Sequence, residues 1–244
     1  MTTPLITHCI FDMDGLLLDT ERVYTEVTQE ILDKYANGAR FTWDIKSKLM
    51  GRTGDESARI VVETYKLPMT VQEYLDITAK IQHEKFPLVR PLDGVERLIR
   101  HLHQHKIPIA VATSSTRSKF ELKTSQNQDL FSLFDFIVCG DDDGIKYGKP
   151  SPDLFLLAQQ RLGNPPSDQC LVFEDAVNGV QAALNAKMHV IWIPDENILN
   201  LSENGETHGA TQVLKTMADF DPLTFKLPAF GPQGPETISH DNLA

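Results

Sequence analysis

Residues 10–21 read Ile-Phe-Asp-Met-Asp-Gly-Leu-Leu-Leu-Asp-Thr-Glu. The apolar run Leu5–Phe11 predicts a buried strand, which ends abruptly in Asp12 and Asp14. Because side chains two residues apart on a strand point to the same side, the two carboxylates face the same way. Their charges repel unless a cation lies between them or one stays protonated. Gly15 permits a sharp turn directly after the pair.

The residues alone leave two interpretations of this acidic pair open. Asp-x-Asp is common, and a turn with two solvated aspartates satisfies it. Alternatively, a nucleophilic carboxylate beside a hard divalent cation is what phosphoryl transfer through an aspartyl-phosphate requires. In that case Asp12 attacks phosphorus, whereas Asp14 protonates the leaving oxygen and later deprotonates water. Asp14 then needs a raised pKa, which a nearby carboxylate and a closed lid favour.

The composition is that of an ordinary globular protein. The 244 residues are 41% hydrophobic and 23% charged, with a formal net charge of -11. This charge disfavours nucleic acid and anionic membrane surfaces as partners, and no apolar run approaches the ~20 residues that span a bilayer. The N-terminus lacks the basic region of a signal peptide. An odd number of cysteines, three, argues against a disulfide framework, so we expect buried thiols and a cytoplasmic location. We also expect a monomer.

Apolar runs alternate with helical patterns along most of the chain. The runs are continuous in apolar character, which is typical of parallel strands buried on both faces. Strand, helix and strand in repetition predict an α/β fold with a doubly wound parallel sheet. The predicted strands are Ile6–Phe11, Ile107–Thr113, Phe136–Gly140, Cys170–Glu174 and Val190–Pro194, and the predicted core helices are Gly94–His105, Leu154–Leu162 and Ala176–Ala186.

The long interval between the first two predicted strands carries helix signals only. Thr20–Tyr35 has apolar residues at spacing four, which predicts an amphipathic helix. Thr53 and Thr70 each precede a glutamate by three residues, as in a capping box. We predict that residues 17–91 form an inserted α-helical cap, which emerges beside the acidic strand end and can cover it.

The remaining chain divides into a core and a tail. Residues 1–16 and 92–229 hold all the predicted strands and are assigned to the catalytic core. Residues 230–244 begin Phe-Gly-Pro-Gln-Gly-Pro and show neither helical nor strand periodicity. This composition predicts a disordered tail.

Three more polar groups lie where ligands bind in open parallel sheets, at the carboxyl ends of strands or at the starts of helices. Thr113-Ser114-Ser115 offers hydroxyl and backbone N–H groups to an anion, or is an ordinary N-cap. Lys149, fixed by a following proline, places a positive charge against phosphate, or is only solvated. Glu174 and Asp175 suit Mg²⁺, or form an acid pair stabilised by a helix dipole.

Together, the four groups resemble the motifs of the haloacid dehalogenase superfamily. The matching stretches are Phe-Asp-Met-Asp-Gly-Leu-Leu-Leu-Asp-Thr-Glu, Ala-Thr-Ser-Ser, Gly-Lys-Pro-Ser-Pro-Asp and Val-Phe-Glu-Asp-Ala-Val-Asn-Gly. The resemblance implies a Rossmann-like core with a helical cap, Mg²⁺ as cofactor and a covalent aspartyl-phosphate. It makes Asp12 the nucleophile and a metal ligand, and Asp14 the acid–base with its backbone carbonyl on the metal. Asp175, with Glu174 beside it, completes the metal shell.

The same resemblance implies the residues that hold the substrate. Ser114, following Thr113, and Lys149 bind the phosphoryl group, and Ser115 belongs to the same anion seat. Arg52, in the predicted cap, either reaches the leaving group of the substrate or is an exposed arginine at a helix start.

A narrower resemblance, to the pseudouridine-5'-phosphatase subgroup, runs from end to end. This subgroup includes enzymes described as glycerol-3-phosphatases, and its matching stretches include 50–52, 67–69, 131–134 and 225–230. It implies Mg²⁺-dependent hydrolysis of a small phosphate monoester. One alternative is a sugar phosphomutase, although such enzymes usually carry a histidine where this chain has Tyr24. Another is a non-catalytic binding protein that retains the fold.

Overall fold

A computed structural model of the chain describes residues 4–49, 54–201 and 206–231. The strands within them are β1 (His8–Phe11), β2 (Ile109–Ala112), β3 (Phe136–Val138), β4 (Cys170–Glu174), β5 (His189–Trp192) and β6 (Gln212–Val213). They form one sheet in the order β3-β2-β1-β4-β5-β6, and every neighbouring pair is parallel. After β1, the chain adds β2 and β3 on one side of it and then β4, β5 and β6 on the other. This reversal of direction leaves a crevice at the carboxyl ends of β1 and β4.

The predicted doubly wound parallel sheet is confirmed. Each of the five predicted strands corresponds to an observed one, with ends that differ by a few residues. The sixth strand, β6, was not predicted, because its two residues give no periodicity from which a strand can be recognised.

The strands at the centre of the sheet are mainly apolar because both faces of the sheet are covered. Phe11 and Phe173 belong to the buried cluster on one face, and Ile10 and Val172 to the cluster on the other. The parallel register pairs Phe11 with Phe173 and Ile10 with Val172, so neighbouring strands present matching faces. Alternate residues along each strand thus fill opposite halves of the core.

Four α-helices lie in the described part of residues 17–91, the interval predicted to be helical. They are α1 (Thr20–Tyr35), α2 (Trp43–Leu49), α3 (Gly54–Tyr65) and α4 (Val71–Lys85). The predicted capping box at the start of α4 is confirmed: the Thr70 hydroxyl accepts from the Glu73 N–H, and the Glu73 carboxylate accepts from the Thr70 N–H. The other predicted box, at Thr53, lies outside the described residues.

The two stretches of chain that enter and leave this helical segment are hydrogen-bonded to each other. The Asp19 N–H donates to the Arg90 carbonyl at 3.0 Å, and the Leu92 N–H donates to the Leu17 carbonyl at 3.1 Å. An antiparallel bridge joins Leu18 and Pro91 between these bonds. The helices therefore connect to the sheet through two short, paired stretches of chain, which lie near residues 17 and 91.

The remaining helices cover the two faces of the sheet. They are α5 (Val95–Gln104), α6 (Arg117–Thr124), α7 (Gln128–Phe131), α8 (Asp153–Arg161), α9 (Val177–Asn185) and α10 (Glu196–Leu201). Apolar residues of α5, α6 and α7 join the cluster on one face, and those of α8, α9 and α10 pack on the other. Among the described residues, none of the helices combines the length and the apolar character that a bilayer crossing requires.

Phe230, assigned to a disordered tail from the sequence, instead packs against α5. Its ring lies 3.9 Å from the Arg97 guanidinium and 4.6 Å from the His101 ring. Cation–π contact and apolar burial hold this position in spite of the surrounding prolines and glycines. Residues 232–244 lie outside the described part of the chain.

Candidate active site

A cavity of about 840 Å³ lies between the carboxyl ends of the strands and the inserted helices. Its lining includes every predicted site residue of the core: Asp12, Asp14, Thr113, Ser114, Ser115, Lys149, Glu174 and Asp175. Arg52 lies outside the described residues. The motifs are far apart in sequence but meet here, because each follows a parallel strand or precedes the helix after it.

Lys149 links the carboxylates at the ends of β1 and β4. Its Nζ donates to Asp12 in a short hydrogen bond and to Glu174 Oε1 at 2.5 Å. A further bond of 3.2 Å reaches the carbonyl of Ala112, the last residue of β2. The Lys149 side chain is 4% exposed. Its ammonium therefore balances two buried acids and is fixed at the middle of the sheet edge.

Glu174 is held by backbone as well as by Lys149. Its Oε2 accepts the N–H groups of Asp175 and Ala176 at 3.0 and 3.1 Å. The side chain lies against Gly179 of α9, where a Cβ would come within 1.9 Å of the Glu174 carboxyl carbon. Only glycine at position 179 leaves room for this carboxylate.

The buried acids outnumber the cations around them, which fits a divalent metal site. Burial raises the pKa of Asp12 to about 7, although Lys149 opposes the shift. Burial, with Glu174 and Asp12 nearby, raises the pKa of Asp175 well above its usual value. Because one ammonium cannot neutralise three carboxylates, this group of oxygen donors suits a hard cation such as Mg²⁺.

Asp14 does not have the raised pKa expected from the sequence. Its Oδ1 accepts from Lys123 Nζ at 2.5 Å, and its Oδ2 accepts from the Ser115 hydroxyl at 2.8 Å. Burial alone would raise the pKa of Asp14, but the charge of Lys123 and these bonds lower it. The expectation was wrong because Lys123, on α6, gave no sign in the sequence of its nearness to the acidic pair.

Residues 113–115, the predicted anion site after β2, differ in their burial and in their hydrogen bonds. Ser115 is buried, and its hydroxyl donates a hydrogen bond to Asp14. The Thr113 hydroxyl accepts the Ser115 N–H at 3.1 Å and shapes the turn. Ser114 is exposed at the cavity wall. All three residues line the cavity, and Ser114 is the exposed one among them.

The inserted helices supply the opposite wall of the cavity, which the sequence did not reveal. Lys46 is nearly buried, and its Nζ lies 3.1 Å from Glu21 Oε2. Tyr24, Phe41 and Tyr74 add aromatic rings to the lining. Amphipathic patterns predict that such helices exist, but they do not identify which polar residues face a cavity.

Known proteins resemble this chain over most of its length. The model of the family described as haloacid dehalogenase-like hydrolase matches residues 9–193. A Drosophila melanogaster protein named "Probable pseudouridine-5'-phosphatase" is 48% identical over 92% of this chain and 96% of its own. The (DL)-glycerol-3-phosphatase 2 of Arabidopsis thaliana is 43% identical over 92% of this chain and 93% of its own.

The fold is also found among solved structures. A HAD hydrolase, family IA, variant 3, from Entamoeba histolytica superimposes with a TM-score of 0.71 and covers 90% of this chain and 97% of its own. Its sequence identity is 23%, so this likeness concerns the fold alone.

Proposed function

This chain belongs to the haloacid dehalogenase-like hydrolase family, and on that premise we propose that it hydrolyses a small phosphate monoester through an aspartyl-phosphate. The observation that carries the proposal is the buried Asp12 at the cavity floor, held by Lys149 with Asp14 beside it. The proposed substrate is pseudouridine 5'-phosphate or a related sugar or polyol phosphate such as glycerol 3-phosphate.

In this proposal the carboxylates of Asp12 and Asp14 have different roles. Asp12 attacks phosphorus, and the bond between phosphorus and the ester oxygen breaks. Because Lys123 favours the charged form of Asp14, Asp14 must first take up a proton, which it then gives to the leaving oxygen. It later takes one from the water that hydrolyses the aspartyl-phosphate. Lys149 and Ser114 are proposed to bind the phosphoryl oxygens, and Arg52 the leaving group.

Mg²⁺ is the proposed cofactor, because phosphatases of this family generally use Mg²⁺. Asp12, Glu174, Asp175 and the Asp14 carbonyl are the proposed ligands. When bound, the cation would neutralise charge between the nucleophile and the phosphoryl group. The protein's own contribution is a buried, fixed arrangement of charges, because this slow reaction requires ~20 kcal/mol of barrier lowering.

A substrate panel tests the proposal directly. We expect Mg²⁺-dependent phosphate release, abolished by EDTA and restored by added Mg²⁺. We expect kcat/KM for pseudouridine 5'-phosphate to exceed that for glycerol 3-phosphate by about tenfold, or ~1.4 kcal/mol. The reason is the size of the cavity, since pockets of about 300–1,000 Å³ enclose whole small molecules, and its aromatic lining suits a base.

The panel also separates the alternatives. Equal or better turnover of glycerol 3-phosphate would assign the cavity to polyol phosphates. An isomeric phosphate ester in place of free phosphate would assign a mutase. No phosphate release from any ester would contradict the proposed hydrolysis.

Gly179→Ala tests the fixed position of Glu174. Because the added methyl would overlap the Glu174 carboxylate, we expect kcat/KM to fall by about 10²-fold, as misplacement near a reacting centre commonly does. The matched control is Gly231→Ala, where a Cβ would have no neighbour within 4 Å. Steady-state phosphate release measures both, and wild-type activity in Gly179→Ala would show that the Glu174 position does not matter.

A further inference from the structure

Lys123 is a buried cation that the proposed mechanism does not use. Its side chain is 0% exposed. Its Nζ donates to Asp14 Oδ1 at 2.5 Å, to the Ser115 hydroxyl at 2.9 Å and to the Tyr24 hydroxyl at 3.1 Å. Removal of an ammonium from water costs several kcal/mol unless an opposite charge compensates for it. Asp14 is the carboxylate that provides this compensation.

The partners of Lys123 come from separate parts of the fold. Asp14 follows β1, Ser115 follows β2, and Tyr24 lies on α1 of the inserted helices. The ring of Phe86, just after α4, lies 4.7 Å from the same Nζ. Lys123 therefore joins α6, the sheet edge and the helical insertion at one point, and that point is the carboxylate of Asp14.

We propose that Lys123 is the positioning residue for Asp14, fixing its carboxylate against the leaving oxygen and tying it to α1 through Tyr24. The inference rests on the hydrolysis proposed above. Without the ammonium, the Asp14 carboxylate keeps the Ser115 bond but loses its counter-charge beside other buried acids. With the Lys123 bond gone, the Oδ1 side of the carboxylate is no longer held in the position from which Asp14 serves the leaving oxygen.

The leaving group distinguishes this role from a general structural one. An alkyl phosphate expels an alkoxide, which needs a proton from Asp14 as the bond breaks. The p-nitrophenolate ion leaves as a stable anion and needs none. Because kcat/KM reports the steps up to release of the leaving group, misplacement of Asp14 lowers it for alkyl esters and largely spares the aryl ester.

The test is Lys123→Met, assayed with glycerol 3-phosphate and p-nitrophenyl phosphate. We expect kcat/KM to fall by about 10²-fold for the alkyl ester and by less than about fivefold for the aryl ester, since loss of general acid catalysis costs about 10²–10⁴-fold. An equal loss with both esters would overturn the inference. The control is Lys80→Met, an exposed lysine of α4 outside the cavity lining, with both values unchanged.

A second test, made in the Asp14→Asn variant, applies if Lys123→Met folds poorly. The pair Asp14→Asn and Asp14→Asn/Lys123→Met should differ by less than about twofold with glycerol 3-phosphate, because contributions that pass through one group are not additive. A further tenfold loss in the double variant would overturn the positioning role. Wild-type protein that releases phosphate from neither ester would overturn the proposed function itself, and the inference with it.

Discussion

Asp12→Asn should lower kcat for phosphate release by at least about 10⁴-fold, the scale on which loss of a nucleophile acts. The amide has the shape of the carboxylate but cannot attack phosphorus, and it removes the acid that Lys149 holds at the cavity floor. Acid-quenched wild-type protein should retain covalent phosphate after reaction with labelled ester, whereas the variant should retain none.

This loss should not be a loss of stability. Because burial raises the pKa of Asp12, the native state disfavours the charged form of this group, and a neutral amide removes that cost. We therefore expect Tm of Asp12→Asn to stay at or above the wild-type value. The matched control is Asp19→Asn, a half-exposed acid in the turn that follows, paired with Arg22 at the surface. Turnover in pure Asp12→Asn within about tenfold of wild type would contradict the covalent mechanism.

The parts of this site that could be predicted from the sequence are those fixed by local patterns. Asp12, Thr113 and Glu174 each end a continuous apolar run, and parallel strands bring their carboxyl ends to one edge. The sequence alone therefore predicts that these residues lie close together. The inserted helices could be predicted for the same reason, because amphipathic spacing and a capping box are local signals.

The residues that could not be predicted act over long sequence separations. Lys123 lies 109 positions from Asp14 and 99 from Tyr24. Its neighbours in α6 are mostly polar or charged, so no local pattern marks this lysine as buried. The direction of the Asp14 pKa shift was wrong for this reason, since one unanticipated ammonium outweighs burial. Ser115 was placed in an anion seat by its motif, but its hydroxyl is bonded to Asp14.

Lys149→Met should be the second most damaging substitution, with a loss in kcat/KM of about 10³-fold or more, as for other fixed charges on a transferring phosphoryl group. Methionine fills a similar volume without the ammonium. It removes the counter-charge of Asp12 and Glu174 together with the proposed phosphate contact. Unlike Asp12→Asn, it should also lower Tm, because breaking a buried ion pair leaves unpaired acids and costs about 3–5 kcal/mol.

A double variant separates these two consequences. In Lys149→Met/Glu174→Gln one uncompensated buried charge is removed, so thermal unfolding should show a Tm above that of Lys149→Met alone. Activity should stay lost, because the ammonium proposed to bind the phosphoryl oxygens is still missing. Recovery of kcat/KM in the double variant would mean that Lys149 acts only through charge balance. An unchanged Tm in the single variant would mean instead that the buried acids take up protons or a cation without it, and stability would not depend on this lysine.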